Sequence, residues 1–208
     1  MRVRPGRATR RRQRDRRTLA LASGFVAVLL LLTAGYLQLL SGLAGRHSAA
    51  VGGPFTLVAG DGRTVTDRSF RGKYLLIYFG YTSCQDVCPM TLTALAAALD
   101  RLGARASAVQ PVFVTVDPQR DTPDVVRAYA ASFTPRLIGL TGNPDQIRQV
   151  TSLYHVSSTI HHAGSPERYT VDHSSVLYLI GPDGRYLAPI PADDAAGAMA
   201  AAVARYLS

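Results

Sequence analysis

Two short apolar runs, Tyr74 to Phe79 and Pro111 to Val116, constrain the fold of this chain more than any other feature. Their β-branched and aromatic content, with Gly72 and Gly80 bounding the first, fits buried strands. Around them the pattern alternates. A strand pair near Phe55 to Val58 and Arg63 to Val65 turns over Asp61-Gly62, and Leu92, Leu95, Leu99 and Leu102 recur at the spacing of an amphipathic helix that ends near Gly103. Thr122-Pro123-Asp124 and Asn143-Pro144-Asp145 each open a helix, with a capping residue, a Pro at the first helical position and an acid near the positive end. A short strand around Leu137 to Leu140 lies between them, and a polar stretch, Ser157 to Thr170, follows the second helix. Ser174 to Ile180 and Arg185 to Ile190 form a hairpin over Pro182-Asp183-Gly184, and an Ala-rich helix closes the chain. Strands alternating with helices in this order predict an α/β sandwich with a central mixed sheet, and a thioredoxin-like arrangement is the natural candidate.

The net charge of +9 suggests nucleic acid until it is located. Nine Arg against Asp15 lie between Arg2 and Arg17, whereas from Thr18 onward fourteen basic residues face thirteen acidic ones. A nucleic-acid-binding domain carries its basic excess on folded structure, so none is expected here. Thr18 to Gly45 holds no charged residue, and the twenty-two residues from Leu19 to Leu40 would rise about 33 Å as a helix, enough for a hydrocarbon core of about 30 Å. The Arg-rich flank orients such a span with residues 1–18 in the cytoplasm. Its length favours a retained single-pass anchor over a cleaved signal peptide. The expected organisation is a tail over 1–18, a transmembrane helix over 19–40, a Gly-containing linker over 41–53 and one domain over 54–208. Ala- and Arg-rich usage suggests a bacterial cell membrane with the domain outside, a mitochondrial inner membrane being the alternative.

The chain's two cysteines, Cys84 and Cys88, stand four residues apart directly after the first buried strand. A helix N-terminus there would favour thiolate, and one helical turn between them would point both sulfurs at one ion. A third ligand must come from five histidines. His47 lies in the linker, His155 ends a helix and His161 and His162 fall in the polar stretch. His173 directly precedes an apolar strand whose start, in a thioredoxin-like sheet, lies beside the cysteine loop. From position alone it is a ligand or an ordinary strand residue with equal weight.

Three ordered segments carry a resemblance. Gly80-Tyr81-Thr82-Ser83-Cys84 to Cys88-Pro89, then Val116-Asp117-Pro118 with Arg120-Asp121-Thr122-Pro123, then Val171-Asp172-His173-Ser174 followed by Gly181-Pro182-Asp183-Gly184, resemble the SCO1/SenC family of copper chaperones over about residues 54 to 190. The resemblance implies a membrane-anchored thioredoxin fold in which Cys84, Cys88 and His173 bind copper. It also implies assembly of the CuA centre of cytochrome c oxidase, with that subunit and another copper chaperone as partners. Cys₂His is a soft set suited to Cu(I), and a weak fourth ligand would accommodate Cu(II), whereas structural zinc takes four protein ligands. Asp172 or Asp117 is expected either to orient His173 through its second nitrogen or to serve as a turn residue.

Rival chemistry in the same fold is a thiol-disulfide oxidoreductase, with Cys84 and Cys88 cycling through a disulfide. Three intervening residues rather than two, and no Pro before Ser174, weigh against it. A peroxiredoxin would need Thr and Pro where Tyr81 and Ile77 stand. A passive assembly factor, in which copper only shapes the loop for a partner, has the same sequence signature as a donor.

Overall fold

In a computed structural model of the chain, residues 29, 31–36, 51–165 and 168–207 are described. The chain divides into two compact units, Met1–Ala49 and Ala50–Ser208. Of the first, residues 31–36 are helical. The expected tail, most of the expected span over 19–40 and nearly all of the linker lie outside the described residues. Among those described, no helix is long and apolar enough to cross a membrane.

The second unit is built on a seven-stranded mixed sheet. In chain order the strands are β1 (Thr56–Ala59), β2 (Thr64–Thr66), β3 (Tyr74–Gly80), β4 (Val109–Thr115), β5 (Ile138–Thr141), β8 (Val176–Ile180) and β9 (Tyr186–Pro191). A separate hairpin supplies β6 (Ser158–Ser165) and β7 (Arg168–His173). The sheet runs β2-β1-β5-β4-β3-β8-β9, with β3, β4 and β5 mutually parallel in the middle. Antiparallel pairs close both edges. The helices are α1 (Val87–Leu102), α2 (Pro123–Ala131), α3 (Pro144–Leu153) and α4 (Ala196–Ala204).

Period-two alternation sorts β3 between two cores. Leu76 and Tyr78 face the cluster built with Leu92, Leu95 and Leu99 of α1, Val126 of α2 and Met199 of α4. Leu75, Ile77 and Phe79 face the other, with Ile147 and Val150 of α3. Both faces of the central strands are therefore covered, which is why their sequence reads as continuous apolar runs.

The expected strand pair, both buried strands, the four helices and the closing hairpin are all present. Asn143 and Gln146 cap α3 reciprocally. Thr122 holds the N-cap position of α2 without a side-chain cap bond, so Pro123 and the Asp124 charge supply the start signal there. The polar stretch differs more: it is the β6–β7 hairpin, paired only with itself. Because its strands do not join the main sheet, they carry no apolar alternation for a sequence reading to find. His173 accordingly ends β7, and β8 begins at Val176 rather than Ser174.

Candidate metal centre

Strand β3 ends at Gly80, and the chain turns with the Cys84 N–H donating to the Tyr81 carbonyl at 3.2 Å. Helix α1 starts only at Val87, so Cys84 sits in the loop and Cys88 in the first turn. The expected helical turn between them is replaced by a loop, because residues 81–86 are spent turning off the strand. The cysteines still meet: the Cys88 N–H donates to Cys84 Sγ at 3.4 Å. Both thiols are free, Cys84 partly exposed and Cys88 buried. A Cβ at Gly80 would lie 3.0 Å from Cys88 Sγ, so the missing side chain at 80 makes room for the sulfur.

His173 Nε2 stands 3.2 Å from Cys88 Sγ. Its ring meets Tyr78 edge-on at 5.9 Å and Tyr81 at 6.1 Å. Nδ1 faces the Ser174 carbonyl at 3.2 Å, an atom that can only accept. An Nδ1–H given to that carbonyl leaves the Nε2 lone pair directed at the sulfur, the tautomer a metal ligand needs. Neither expected carboxylate does this work. Asp172 bonds His161 Nε2 at 2.9 Å on the exposed hairpin, and Asp117 accepts from Arg120 Nε and from the Tyr169 hydroxyl. A backbone oxygen orients the ring because Asp172, its neighbour on a strand, points to the opposite face.

Burial dominates the electrostatics. It pushes the Cys88 thiol up to about 12, with the Cys84 side chain adding to the rise. It depresses His173 below its ordinary value, partly offset by the Ser174 carbonyl and by Asp172. The expectation of a helix-lowered thiol pKa therefore does not hold for Cys88, since desolvation outweighs the helix end. The Tyr78 hydroxyl is buried without a hydrogen-bond partner, yet it acts on Cys88 to favour the thiolate. Neutral sulfur gives it a poor acceptor; a thiolate would give it a good one. Tyr81, Cys84, Val87, Asp172, His173 and Ser175 line an open cleft that gives this cluster a route to solvent.

A second network, missed as such by sequence reasoning, holds the hairpin in place. Arg120 lies 3.7 Å from the Tyr169 ring centre and donates to the Tyr169 carbonyl, and Asp117 accepts from the Tyr169 hydroxyl at 2.7 Å. Asp121, wholly buried, accepts from the Thr82 N–H at 3.0 Å and from the Thr82 and Thr115 hydroxyls. The loop segment from Asp117 to Pro123 was visible as a motif; Tyr169 gave no signal in a polar stretch. His47 lies outside the described residues, and His155 follows α3 with a left-handed φ of 53°.

Among the described residues, no three His, Cys, Asp or Glu side chains are gathered as a ready metal-holding set. The donor set nevertheless fits a soft cation, with an unprotonated imidazole nitrogen beside a sulfur and an orphaned donor waiting for a thiolate. Cys88 also makes a pH prediction for the reduced, metal-free protein. Its folded pKa lies above the ordinary thiol value of 9.0, so the folded state holds the proton longer than the unfolded state. Stability from this group is complete below pH 9 and falls as pH rises from 9 toward 12, by on the order of 1 kcal/mol per pH unit. Chemical denaturation at pH 8 and pH 10 is expected to show this drop in the wild type and not in Cys88→Ala. Equal drops would mean that the sulfur is solvated.

The SCO1/SenC family model matches residues 44–208. Protein SenC of Rhodobacter capsulatus is 46% identical over 138 residues, 66% of this chain and 62% of its own length. The human mitochondrial SCO1 homolog is 37% identical over 159 residues, 76% of this chain and 53% of its own. The chain thus spans about half to two thirds of the length of these relatives. Among solved structures, Bradyrhizobium japonicum ScoI with copper bound superposes with a TM-score of 0.70 at 41% identity, covering 76% of this chain and all of that one. A match over most of the chain, from the first strand through the cysteine loop to the closing helix, makes this protein a member of the SCO1/SenC family.

Proposed function

We propose that this chain is a copper chaperone that binds one copper ion through Cys84, Cys88 and His173 and serves maturation of the CuA centre of cytochrome c oxidase. The observation that carries the reading is the pairing of Cys88 Sγ and His173 Nε2 at 3.2 Å, from elements eighty-five residues apart, beside an unpartnered Tyr78 hydroxyl. Copper-bound relatives from Bradyrhizobium japonicum and Arabidopsis thaliana, 41% and 39% identical, support the cargo. Loading requires Cys84 to turn its sulfur from the Cys88 N–H toward the ion, and displaces the Cys88 proton. Copper supplies the soft Lewis acid; the chain supplies two sulfurs, a pre-oriented imidazole and a buried hydroxyl.

In this reading a single span over residues 19–40 holds the domain on the outer face of a bacterial membrane, with the N-terminus in the cytoplasm. The oxidase subunit that receives copper, and a second chaperone that supplies it, meet the open cleft beside Cys84. Cys84 and Cys88 also form a disulfide when the site is oxidised: two electrons pass to a pair of Cu(II) ions and the two thiol protons to solvent, or both electrons and protons pass to a client disulfide, which becomes two thiols.

The test is anaerobic Cu(I) titration of the reduced full-length chain in detergent against a chromophoric Cu(I) chelator. One copper retained per chain is expected, and none by the Cys84→Ala, Cys88→Ala double variant. Equal retention by the two proteins would remove the metal centre and leave a thiol-disulfide oxidoreductase, which the proximity of the free cysteines also permits.

A further inference from the structure

At the opposite end of β3 from the cysteine loop is a cleft lined by Gly53, Arg68, Arg71, Lys73, Tyr154 and Gly181. The three cations are exposed, and the acidic residue in the lining, Asp67, is paired with Arg71 at 2.9 Å. This excess is local, since from Thr18 onward the chain carries fourteen basic and thirteen acidic residues. The lining is also held in shape. Gly72 N–H donates to the Pro182 carbonyl at 3.0 Å, and the Arg71 guanidinium lies against Gly184, where a Cβ would fall 1.7 Å from it. Tyr154 is 2% exposed.

The chain enters the domain on the rim of this cleft. Gly52 N–H donates to the Leu153 carbonyl at 2.7 Å, and Gly53 is part of the lining. On the anchored reading, the thirteen residues 41–53 would join the expected span to this rim, a length whose root-mean-square reach as a flexible linker is about 20 Å. A basic, pre-shaped cleft at the point of tethering meets headgroups at high local concentration.

We propose that this cleft receives the headgroup of an anionic phospholipid in the membrane that holds the chain, with Arg68, Arg71 and Lys73 as its contacts. The proposal rests on the anchored reading above. Its consequence would be orientation: with the cleft on headgroups, the cysteine loop at the other end of β3, about 20 Å along the strand, would face away from the bilayer and toward soluble domains of a partner.

The chain contains no Trp, so one introduced residue is a clean fluorescence donor. Full-length Gln149→Trp, beside Arg68, and Met90→Trp, in the first turns of α1, would be placed in nanodiscs carrying a dansyl-headgroup lipid in phosphatidylcholine or phosphatidylglycerol. Loss of donor emission at Gln149→Trp is expected to be about two-fold greater in phosphatidylglycerol, with little change at Met90→Trp. Adding Arg68→Glu and Lys73→Glu, or raising salt on the otherwise unaltered chain, is expected to abolish the difference, each basic contact contributing roughly five-fold in surface affinity. Equal transfer in the two lipids overturns the proposal. Reversal by inorganic phosphate at matched ionic strength overturns the lipid assignment in favour of a free-anion site. Failure of the chain to incorporate into nanodiscs would instead strike the anchored reading itself.

Discussion

Replacing His173 by Ala is expected to weaken Cu(I) retention by more than about a hundred-fold, because loss of an inner ligand exceeds the ten- to hundred-fold effect typical of outer partners. Two sulfurs would remain, but Cys88 would have lost the base that faces it at 3.2 Å, and burial pushes its thiol up to about 12. Without imidazole the site must bind copper and pay the full cost of a desolvated thiolate with one donor fewer. Asp172→Asn, by contrast, removes a carboxylate that bonds exposed His161 and reaches His173 only through its charge, so a change under about three-fold is expected. Competition against a chromophoric Cu(I) chelator separates the two. His173→Ala holding copper within about three-fold of wild type would exclude the ring as a ligand. Cu(I) affinity of the wild type is expected to fall as pH is lowered, since binding displaces the Cys88 proton and a protonated imidazole no longer donates.

The legibility of this molecule in its sequence follows burial. Strands β3 and β4 are covered on both faces, so apart from Gln110 and Thr115 of β4 their residues are apolar and the runs announced them. Helix α3 carried its own start signal in Asn143-Pro144-Asp145, which the structure satisfies with a reciprocal cap. The β6–β7 hairpin was not legible because it lies off the sheet and, among its described side chains, only Val171 is buried. Since His173 sits at the end of that hairpin, its placement beside Cys88 depended on tertiary structure that no local pattern encodes. The cysteine spacing suggested a shared helical turn, yet the chain uses residues 81–86 to leave the strand and starts the helix at Val87. The expected carboxylate partner of His173 failed for a simpler reason. Adjacent residues on a strand face opposite ways, so Asp172 could not share the ring's side, and the Ser174 carbonyl takes that place.

The same logic puts the greatest stability effect at Asp121, a residue that never touches the proposed cargo. Its carboxylate is wholly buried and accepts from the Thr82 N–H at 3.0 Å, the Thr82 hydroxyl at 2.5 Å and the Thr115 hydroxyl at 2.5 Å. Its own carbonyl accepts from the Thr141 hydroxyl at 2.7 Å, which ties the loop to β5. Asp121→Ala leaves three donors facing a cavity, a loss of about 4 kcal/mol, or about 10 °C in melting temperature for a domain of this size. Asp121→Asn keeps the volume but places an amide that donates where only acceptors are wanted, so an intermediate loss is expected. Thr82 stands two residues before Cys84, and freeing it loosens the loop that must bring the second sulfur to the ion. Both variants are therefore expected to release Cu(I) faster than wild type at temperatures where they remain folded, whereas a purely global role would leave that rate unchanged. Thermal melts followed by circular dichroism, with stopped-flow transfer to the chelator on the same samples, give both readouts. A loss below about 1 kcal/mol in Asp121→Ala would mean that water replaces the carboxylate, and that the loop owes its position to the packing of Tyr81 against His173 instead.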